Sequence, residues 1–580
     1  MLKNLDKMNE LLIKLAENGI NIGPESFKKI KTLKNPLEFV STLIIKIKSQ
    51  FKSKELVVIK DEIINSYLEE FKNSRSEGTA EAIAKKETNK IEKINKNKET
   101  GENKEINKNE NKEMNKNENK KMNKNKDENK EIKEEINKSK RNQEGVEGKF
   151  NFEILIDTSK KSYTKGELVD FVSLFKSRFE KLSKILKKRS QLKVVKKISE
   201  IHAQDKQNDF STIGMIKEIK KTKNGHIFME LEDETGVLNV LISKDDVDLI
   251  KFSEKLVKDE VIGVLGKIGK NSKQDSKKDS KKESNKSNSL SIASEIIQPG
   301  ATRIDKKEMD FSVCFCSDIH IGSNTFVEES FVKFIDWING DFKNEEFKAI
   351  GMDIKYLIIS GDIVDGIGIY PNQDKELKIK DITKQYDKAA ELLSKIRTDV
   401  KIIIGPGNHD ASRVAEPQPA VPKEYAKSLY ELKNVEFVSN PALVSLEGIK
   451  VLMYHGRGID DMALGVKGMS MEENDKVMKE LMNKRHLAPL YGERTPLAAE
   501  LEDHLVIDDL PDIFHTGHVH INSYKNYNGI HMINSGTFQT QTEFQKTHNI
   551  NPTVAVVPIL HRGKFIEINF LSSHKKKNSK

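Results

Sequence analysis

Aspartate, asparagine and histidine side chains recur at the ends of five apolar segments in the second half of this 580-residue chain. Each segment is typical of a buried strand, and each leads into a short polar run. The runs are DIH at 318–320, GDIVD at 361–365, GNHD at 407–410, YHG at 454–456 and GHVH at 517–520. Because rigid scaffolds usually present functional groups on loops at strand ends, we expect the five runs to form one site.

The residue types in these runs are ligands for divalent metal ions. Imidazole favours Mn, Fe or Zn, whereas carboxylate and amide oxygens favour Mn and Mg. Asp318 and His320 are separated by one residue, so on an extended strand both would point to one face. The same holds for His518 and His520, unless a turn redirects one of them. Gly361, Gly407 and Gly517 allow the backbone to approach these groups closely. The pattern therefore predicts a site for two cations without thiolate ligands.

A small all-β unit is predicted before these segments, at residues 210–300. Three strands are separated by Asn-Gly and Thr-Gly turns, and a short helix at roughly 245–257 precedes two more strands. Five strands with a helix between the third and fourth are typical of an OB-fold barrel. A low-complexity insertion, KNSKQDSKKDSKKESNKSNS, separates the last two strands. With few aromatic residues present, the pattern leaves open whether this barrel binds single-stranded DNA or protein.

The rest of the chain divides by composition. Residues 1–72 carry leucines at helical spacing and predict a small helical domain, either an ordinary mini-domain or a docking module for a partner. Residues 73–149 form a predicted disordered linker, since positions 85–140 contain 18 Lys, 14 Asn and 13 acidic residues and almost no apolar ones. Residues 150–300 are assigned to an amphipathic helix plus the barrel. Residues 301–574 form an α/β domain, and 575–580 are a basic tail.

The positive net charge of the chain does not describe its α/β domain. The formal net charge is +9 and the pI is near 8.9, yet residues 301–574 alone carry a net charge of about −9. The positive charge therefore belongs to the low-complexity segments. Two cysteines exclude a disulfide scaffold, and no stretch reaches the ~18 apolar residues of a membrane span. We expect a cytoplasmic protein of several domains that has no membrane association.

The five runs, in this order, resemble those of the calcineurin-like metallophosphoesterase superfamily, whose fold is a two-sheet αββα sandwich. Two longer segments restrict the resemblance to one branch of this superfamily. They are residues 485–520, RHLAPLYGERTPLAAELEDHLVIDDLPDIFHTGHVH, and residues 169–186, VDFVSLFKSRFEKLSKIL. Together with the predicted OB-fold they resemble the small subunits of archaeal D-family DNA polymerases. The resemblance covers roughly residues 150–574.

The resemblance implies particular roles for the residues of the five runs. One metal ion would be held by Asp318, His320, Asp362 and His520, and the other by Asp362, Asn408, His455 and His518. Mn²⁺ is the expected metal, with Mg²⁺, Fe or Zn as alternatives. His409 would face the substrate as a catalytic residue. Asp410 would orient His409 or cap a helix, and Asp365 would order its loop.

Two arginines are candidates for substrate binding. Arg413 and Arg457 could each clamp a phosphate with two hydrogen bonds. The competing interpretation is that both form structural ion pairs.

The resemblance implies a proofreading 3′–5′ exonuclease that hydrolyses DNA by two-metal catalysis. Its partners would be a separate large polymerase subunit, in a heterodimer or larger assembly, and DNA with a single-stranded or mismatched 3′ end. A contact with the sliding clamp is a further candidate. Two alternatives stand beside this interpretation: a non-catalytic scaffold subunit, and another metal-dependent nuclease or phosphodiesterase.

Deletion of residues 85–140 tests the linker assignment. We expect Mn²⁺-dependent nuclease activity of the purified chain to remain largely intact, because a segment without apolar anchors contributes no packing to the domains on either side. Activity would be measured by nucleotide release from a single-stranded oligodeoxynucleotide. Total loss would show that the segment is more than a passive connection.

Overall fold

The computed structural model describes residues 149–161, 164–204, 208–269, 290–547 and 549–571, and short stretches within the first 60 residues. It divides into two compact units, Met1–Asn125 and Lys126–Lys580. In the first unit, β1 (Ile20–Ile22) pairs in parallel with β2 (Val57–Ile59). The purely helical prediction for residues 1–72 is therefore wrong at these positions. The predicted linker at 85–140 and the basic tail lie outside the described residues.

The second unit begins with β3 (Phe152–Asp157), α1 (Leu168–Leu186) and α2 (Ile198–His202), followed by a closed barrel. The barrel contains β4 (Asp209–Lys221), β5 (Ile227–Asp233), β6 (Gly236–Ile242), α3 (Val247–Ser253), β7 (Val261–Ile268) and β8 (Ser291–Ile297). Its strand order is β4-β5-β6-β8-β7, and apolar side chains such as Met229 and Val264 fill its interior. The predicted OB-fold is confirmed.

The described residues of this unit also form two six-stranded sheets. The first has the order β12-β11-β10-β9-β18-β19, and the second has the order β16-β17-β15-β14-β13-β3. Their strands are β9 (Ser312–Cys316), β10 (Ile354–Ser360), β11 (Lys401–Gly405), β12 (Val435–Phe437), β13 (Ala442–Leu446), β14 (Ile449–Met453), β15 (Ile513–Thr516), β16 (Ser523–Tyr527), β17 (Ile530–Asn534), β18 (Val556–His561) and β19 (Lys564–Asn569).

The described part of this domain also contains seven α-helices. They are α4 (Glu328–Ile338), α5 (Glu345–Met352), α6 (Ile382–Leu393), α7 (Lys427–Tyr430), α8 (Gly458–Gly465), α9 (Asn474–Lys484) and α10 (Glu543–Thr547). Residues Phe315 and Ile358 of the first sheet share a core with Val451 of the second, so the sheets pack face to face. Helices α4 and α6 pack on the outside of the first sheet, and α8 and α9 on the outside of the second. The result is a four-layer αββα arrangement, referred to below as the two-sheet domain.

The two-sheet domain brings the ends of its central strands together. In the first sheet β9, β10 and β11 run parallel, and in the second sheet β14 and β15 run parallel. These five strands are buried on both faces, which explains their almost continuous apolar sequences. Since parallel strands finish at the same edge of a sheet, the five polar runs that follow them meet at one edge of the domain.

Strand β3 extends the second sheet. It pairs antiparallel with β13, with Leu446 opposite Phe152 and Ala442 opposite Asp157. The sequence assignment of residues 150–300 to a helix and a barrel is therefore corrected at its start: a strand that precedes the barrel in sequence completes the two-sheet domain. Among the described residues, no helix is long and apolar enough to cross a bilayer.

Buried ion pairs join α1 and the barrel to the two-sheet domain. Arg178 Nε of α1 lies 2.7 Å from Asp503 Oδ2, and His486 Nε2 lies 2.9 Å from the same oxygen. All three side chains are at most 2% exposed. In the barrel, Glu260 Oε2 receives a hydrogen bond of 2.7 Å from the buried Lys484. Because an unpaired buried charge is costly, these pairs hold the two domains in one orientation.

Replacing Arg178 with methionine tests this junction. We expect Arg178→Met to lower the free energy of unfolding by about 3 kcal/mol, since Asp503 would be left as a buried, partly unpaired carboxylate. The matched control is Lys176→Met on the same helix, whose pair with Glu234 is more than half exposed and should contribute less than about 0.5 kcal/mol. Equal effects of the two substitutions in chemical denaturation would contradict the assignment.

Candidate metal centre

The structure brings the predicted Asp and His residues together at one edge of the two-sheet domain. Asp318, His320, Asp362 and His455 are almost fully buried, and His520 is only slightly exposed. Three overlapping sets have their ligand atoms within 4.8 Å of one another: Asp318, His320 and His520; His320, Asp362 and His409; Asp318, Asp362 and His455. We call these six side chains the Asp/His cluster.

The backbone of the site is in an unusual conformation. Five predicted ligands have positive φ values between 52° and 72°: Asp318, His320, Asp362, His518 and His520. Left-handed backbone at a residue with a side chain costs roughly 1–2 kcal/mol. Such strain persists only where the surrounding structure enforces it, and it concentrates at functional sites. The strain is therefore a second, independent indication that these loops are built for a purpose other than stability.

Glycine residues make the close approach of these loops possible. A Cβ atom on Gly407 would overlap Asp362 Oδ1 and would lie 2.6 Å from the Asp362 backbone nitrogen. A Cβ atom on Gly361 would lie 2.5 Å from His455 Nδ1, and one on Gly517 would lie 2.6 Å from Asp318 Oδ2. The sequence-based expectation that these three glycines allow close backbone approach is confirmed.

The first part of the cluster surrounds Asp318. Its Oδ1 atom is buried and accepts no hydrogen bond from the residues that the structure describes. The nearest imidazole nitrogens are His520 Nε2 at 3.3 Å and His320 Nε2 at 4.0 Å. These two nitrogens are 3.1 Å apart and face each other. A buried carboxylate oxygen without a donor, next to two converging nitrogens, has the composition and spacing of a cation site.

The second part surrounds Asp362. Its Oδ2 atom lies 3.4 Å from His455 Nε2 and 4.0 Å from both His320 Nε2 and His409 Nε2. His455 Nε2 also lies 2.9 Å from Asn408 Oδ1. Asp362, like Asp318 and His320, is thus shared between two of the three sets.

Each inward-facing histidine is held by a contact to its other ring nitrogen. His320 Nδ1 lies 3.1 Å from Asp365 Oδ1, and His455 Nδ1 lies 2.9 Å from the Ser360 carbonyl oxygen. His520 Nδ1 lies 2.8 Å from Gln545 Nε2. Outer contacts of this kind fix the orientation of metal-binding imidazoles. Asp365 orders its loop, as the sequence predicted, and also contacts a predicted ligand.

His518 is oriented differently from the other predicted ligands. Its backbone N–H donates to Asp318 Oδ2 at 2.9 Å, while its ring nitrogen Nε2 lies 3.1 Å from Asp460 Oδ2. Sequence reasoning missed Asp460 and Gln545 as neighbours of the cluster. Their contacts depend on where α8 and α10 pack, which no local pattern of residues indicates.

Burial and opposite charges shift the pKa values of the cluster in opposite directions. Burial alone would raise the pKa of Asp318, but His520 and His455 lower it to about 2. Burial would likewise raise the pKa of Asp362, but His455 and His409 lower it well below its usual value. Burial opposes the charged form of His455, yet Asp362 and Asp318 raise its pKa to about 10. Both carboxylates are therefore ionised near neutral pH, the state that can bind a cation.

His409 and Asp410 have distinct positions. His409 Nδ1 donates to the Asp365 carbonyl oxygen at 2.7 Å, so its Nε2 faces the cluster. Burial lowers the pKa of His409. Asp410 neither orients His409 nor caps a helix: its Oδ2 accepts from the backbone N–H groups of Asp362 at 2.7 Å and Gly407 at 2.8 Å. Asp410 thus joins the two loops that carry Asp362 and His409.

A cavity of about 560 Å³ opens over the cluster. The cavity is not lined by Arg413, which pairs with the buried Glu500, or by Arg457, which donates to the backbone of Val414 and Arg494. The structural ion pair predicted as the alternative is present for Arg413, whereas Arg457 makes hydrogen bonds to backbone carbonyl oxygens instead. Phosphate binding by either arginine stays a prediction. The side chain that lines the cavity instead is Arg494, which sequence reasoning did not single out.

Comparison with known proteins gives concordant results. The model of the family of DNA polymerase alpha/epsilon B subunits matches residues 313–525, and that of the OB-fold nucleic acid binding domain matches residues 210–284. Three relatives are each called DNA polymerase II small subunit. The one from Methanothermobacter thermautotrophicus is 54% identical over 72% of this chain and 83% of its own length. Those from Archaeoglobus fulgidus and Methanocaldococcus jannaschii are 41% and 39% identical, over 71% and 70% of this chain and 78% and 66% of theirs.

Fold and site together define a protein with an OB-fold barrel joined to a two-sheet α/β domain that holds a buried Asp/His cluster. The chain belongs to the family of archaeal DNA polymerase II small subunits. The resemblance to D-family small subunits noted from the sequence is confirmed.

Substitution of Gly407 tests how tightly the loops are packed. We expect Gly407→Ala to lower the free energy of unfolding by about 2 kcal/mol, because its methyl group overlaps atoms of Asp362 that cannot move freely. The matched control is Gly405→Ala, two residues earlier, whose added methyl group would meet nothing closer than 3.4 Å. Chemical denaturation measures both, and a Gly407→Ala protein as stable as the control would refute the predicted overlap.

Proposed function

We propose that this chain is a metal-dependent 3′–5′ exonuclease that hydrolyses DNA phosphodiester bonds within a DNA polymerase. The observation that carries the proposal is the convergence of buried carboxylates and imidazoles from five strand ends of two sheets. The strained backbone at five of these residues supports it. The 3′–5′ direction and the proofreading role are inferred from the resemblance to D-family small subunits.

The donor set of the cluster fits two divalent cations. Asp318, His320, Asp362 and His520 would hold one ion, and Asp362, Asn408, His455 and His518 the other. Nitrogen and oxygen donors without thiolate favour Mn²⁺, with Mg²⁺, Fe or Zn as alternatives. When bound, two such ions neutralise the phosphate charge and activate a water molecule for attack. The side chains that would hold the ions are already close together without substrate.

His409 is the candidate catalytic residue. Its Nδ1–H donates a hydrogen bond to the Asp365 carbonyl oxygen, so Nε2 is the ring nitrogen that can exchange a proton with the substrate. Burial lowers the pKa of the free side chain, but an anionic phosphate in the cleft would raise it again. His409 would then donate a proton to the leaving 3′-oxygen through Nε2.

The negative charge of the two-sheet domain opposes the binding of a polyanion. Residues 301–574 carry a net charge of about −9, which repels DNA at long range. We infer that the metal ions and a large polymerase subunit supply the missing positive charge. The large subunit would be the main partner and would carry out synthesis, and a sliding clamp is a further candidate partner. The barrel would bind either single-stranded DNA or protein.

Two substitutions separate metal binding from proton transfer. Asp362→Ala should abolish Mn²⁺-dependent nucleotide release from a mismatched 3′ end and should also weaken Mn²⁺ binding. His409→Ala should lower kcat by about 10²–10³-fold and leave Mn²⁺ binding unchanged, because general acid–base catalysis contributes about that much. Titration calorimetry and single-turnover kinetics measure the two effects. The control, His202→Ala, removes an exposed histidine at the end of α2 and should change neither. Undiminished cleavage by Asp362→Ala would refute the two-metal assignment.

The scaffold alternative is tested with the unmodified protein. The purified chain would be assayed on matched and mismatched 3′ ends, alone and with its large subunit. An exonuclease releases nucleotides in at least one of these states, and a scaffold releases none in either. The ionised carboxylates of the cluster and its converging imidazoles favour the exonuclease.

A further inference from the structure

The cleft over the Asp/His cluster has one side that hydrolysis of a phosphodiester does not require. Four cluster residues line it, His320, Asp362, His409 and His520, but part of its lining comes from Leu464, Met469 and Met471. We call these three side chains the apolar wall. A phosphate group has no apolar surface that such a wall could contact, so another part of the substrate must explain it.

The apolar wall stands at the edge of the cluster. Leu464 is one helical turn after Asp460 on α8, so the two side chains lie on the same face of the helix. Asp460 Oδ2 contacts His518 Nε2 at 3.1 Å, which places this face of α8 against the cluster. Leu464 therefore extends from the edge of the candidate metal centre into the cleft that it lines.

The apolar wall is partly exposed to solvent inside the cleft. Leu464 is 59% exposed and lines the cleft together with polar residues of the cluster. Met469 and Met471 are half-buried and pack against the outer core formed by α8 and α9, so the wall has a rigid backing. An exposed apolar surface within a cleft is typical of a ligand-binding site.

We propose that the apolar wall binds the base of the nucleotide at the 3′ end, a proposal that rests on the proposed exonuclease function. A nucleobase is the only large, flat, weakly hydrated surface of a DNA strand, and leucine and methionine side chains pack well against it. A base can reach the wall only when it has left its partner strand. A mismatched terminal base leaves at lower cost than a paired one. The wall thus selects ends whose terminal base is already free.

The test compares two single-stranded oligodeoxynucleotides that differ only at the 3′ terminus. One ends in a normal nucleotide and the other in an abasic tetrahydrofuran nucleotide. For each, the full chain is assayed for Mn²⁺-dependent release of the terminal residue, and for binding by fluorescence anisotropy in EDTA. The variants are Leu464→Ala and Leu464→Phe. The matched control is Leu501→Ala, which removes a similarly exposed leucine, 62% exposed, that does not line the cleft.

We expect the wild-type protein to bind and cleave the base-bearing end more efficiently than the abasic end. Leu464→Ala should raise KM for the base-bearing end about fivefold, the effect of losing part of one apolar contact, and should affect the abasic end less than about twofold. Leu464→Phe, which keeps a large apolar side chain, should retain the preference for the base-bearing end. Leu501→Ala should have the same KM for both ends as the wild type. The proposal is overturned if the wild type treats both ends alike in binding and cleavage, or if Leu464→Ala weakens both ends equally. Binding discrimination without cleavage of either end would refute the exonuclease and leave the base site standing.

Discussion

Two buried carboxylates, Asp318 and Asp362, determine how the two-sheet domain must be built. Burial of a charge is costly unless an opposite charge compensates it. Imidazoles on other strands favour the ionised carboxylates: His520 and His455 lower the pKa of Asp318, and His455 and His409 lower that of Asp362. Among these histidines the pKa of His455 is raised, whereas burial lowers the pKa of His409 and His520. The sheets, their face-to-face packing and the outer helices bring these charges together beneath an open cleft.

The same requirement explains the local features around the cluster. The loops can meet only if the backbone adopts left-handed conformations at the ligand positions, and only if neighbouring residues such as Gly407 lack side chains. Asp410 then joins the Asp362 and His409 loops by accepting backbone hydrogen bonds from the first and from Gly407. Stability is lower at this edge than an unstrained arrangement would allow, which is the usual relation between function and stability at active sites.

The sequence predicted most of the architecture but only part of the site. Strands buried on both faces have an unmistakable apolar pattern, so β9, β10, β11, β14 and β15 could be recognised together with the polar runs after them. Contacts between elements distant in the sequence could not. Asp460 meets His518 only because of how α8 packs, and Arg494 lines the cleft where Arg413 and Arg457 do not. The type of a side chain limits which groups it can bind, and the packing of distant elements around it determines which of these groups it contacts.

The position of β3 affects how this protein can be divided. The strand lies before the barrel in the chain but pairs with β13 at the edge of the second sheet. The barrel is therefore an insertion within a domain whose first strand has already been made. A fragment that starts at residue 301 would lack this strand and would leave the backbone groups of β13 unpaired along an exposed edge, a site for aggregation. During synthesis, the first strand of the two-sheet domain must also wait for more than 280 residues before its partner β13 is made.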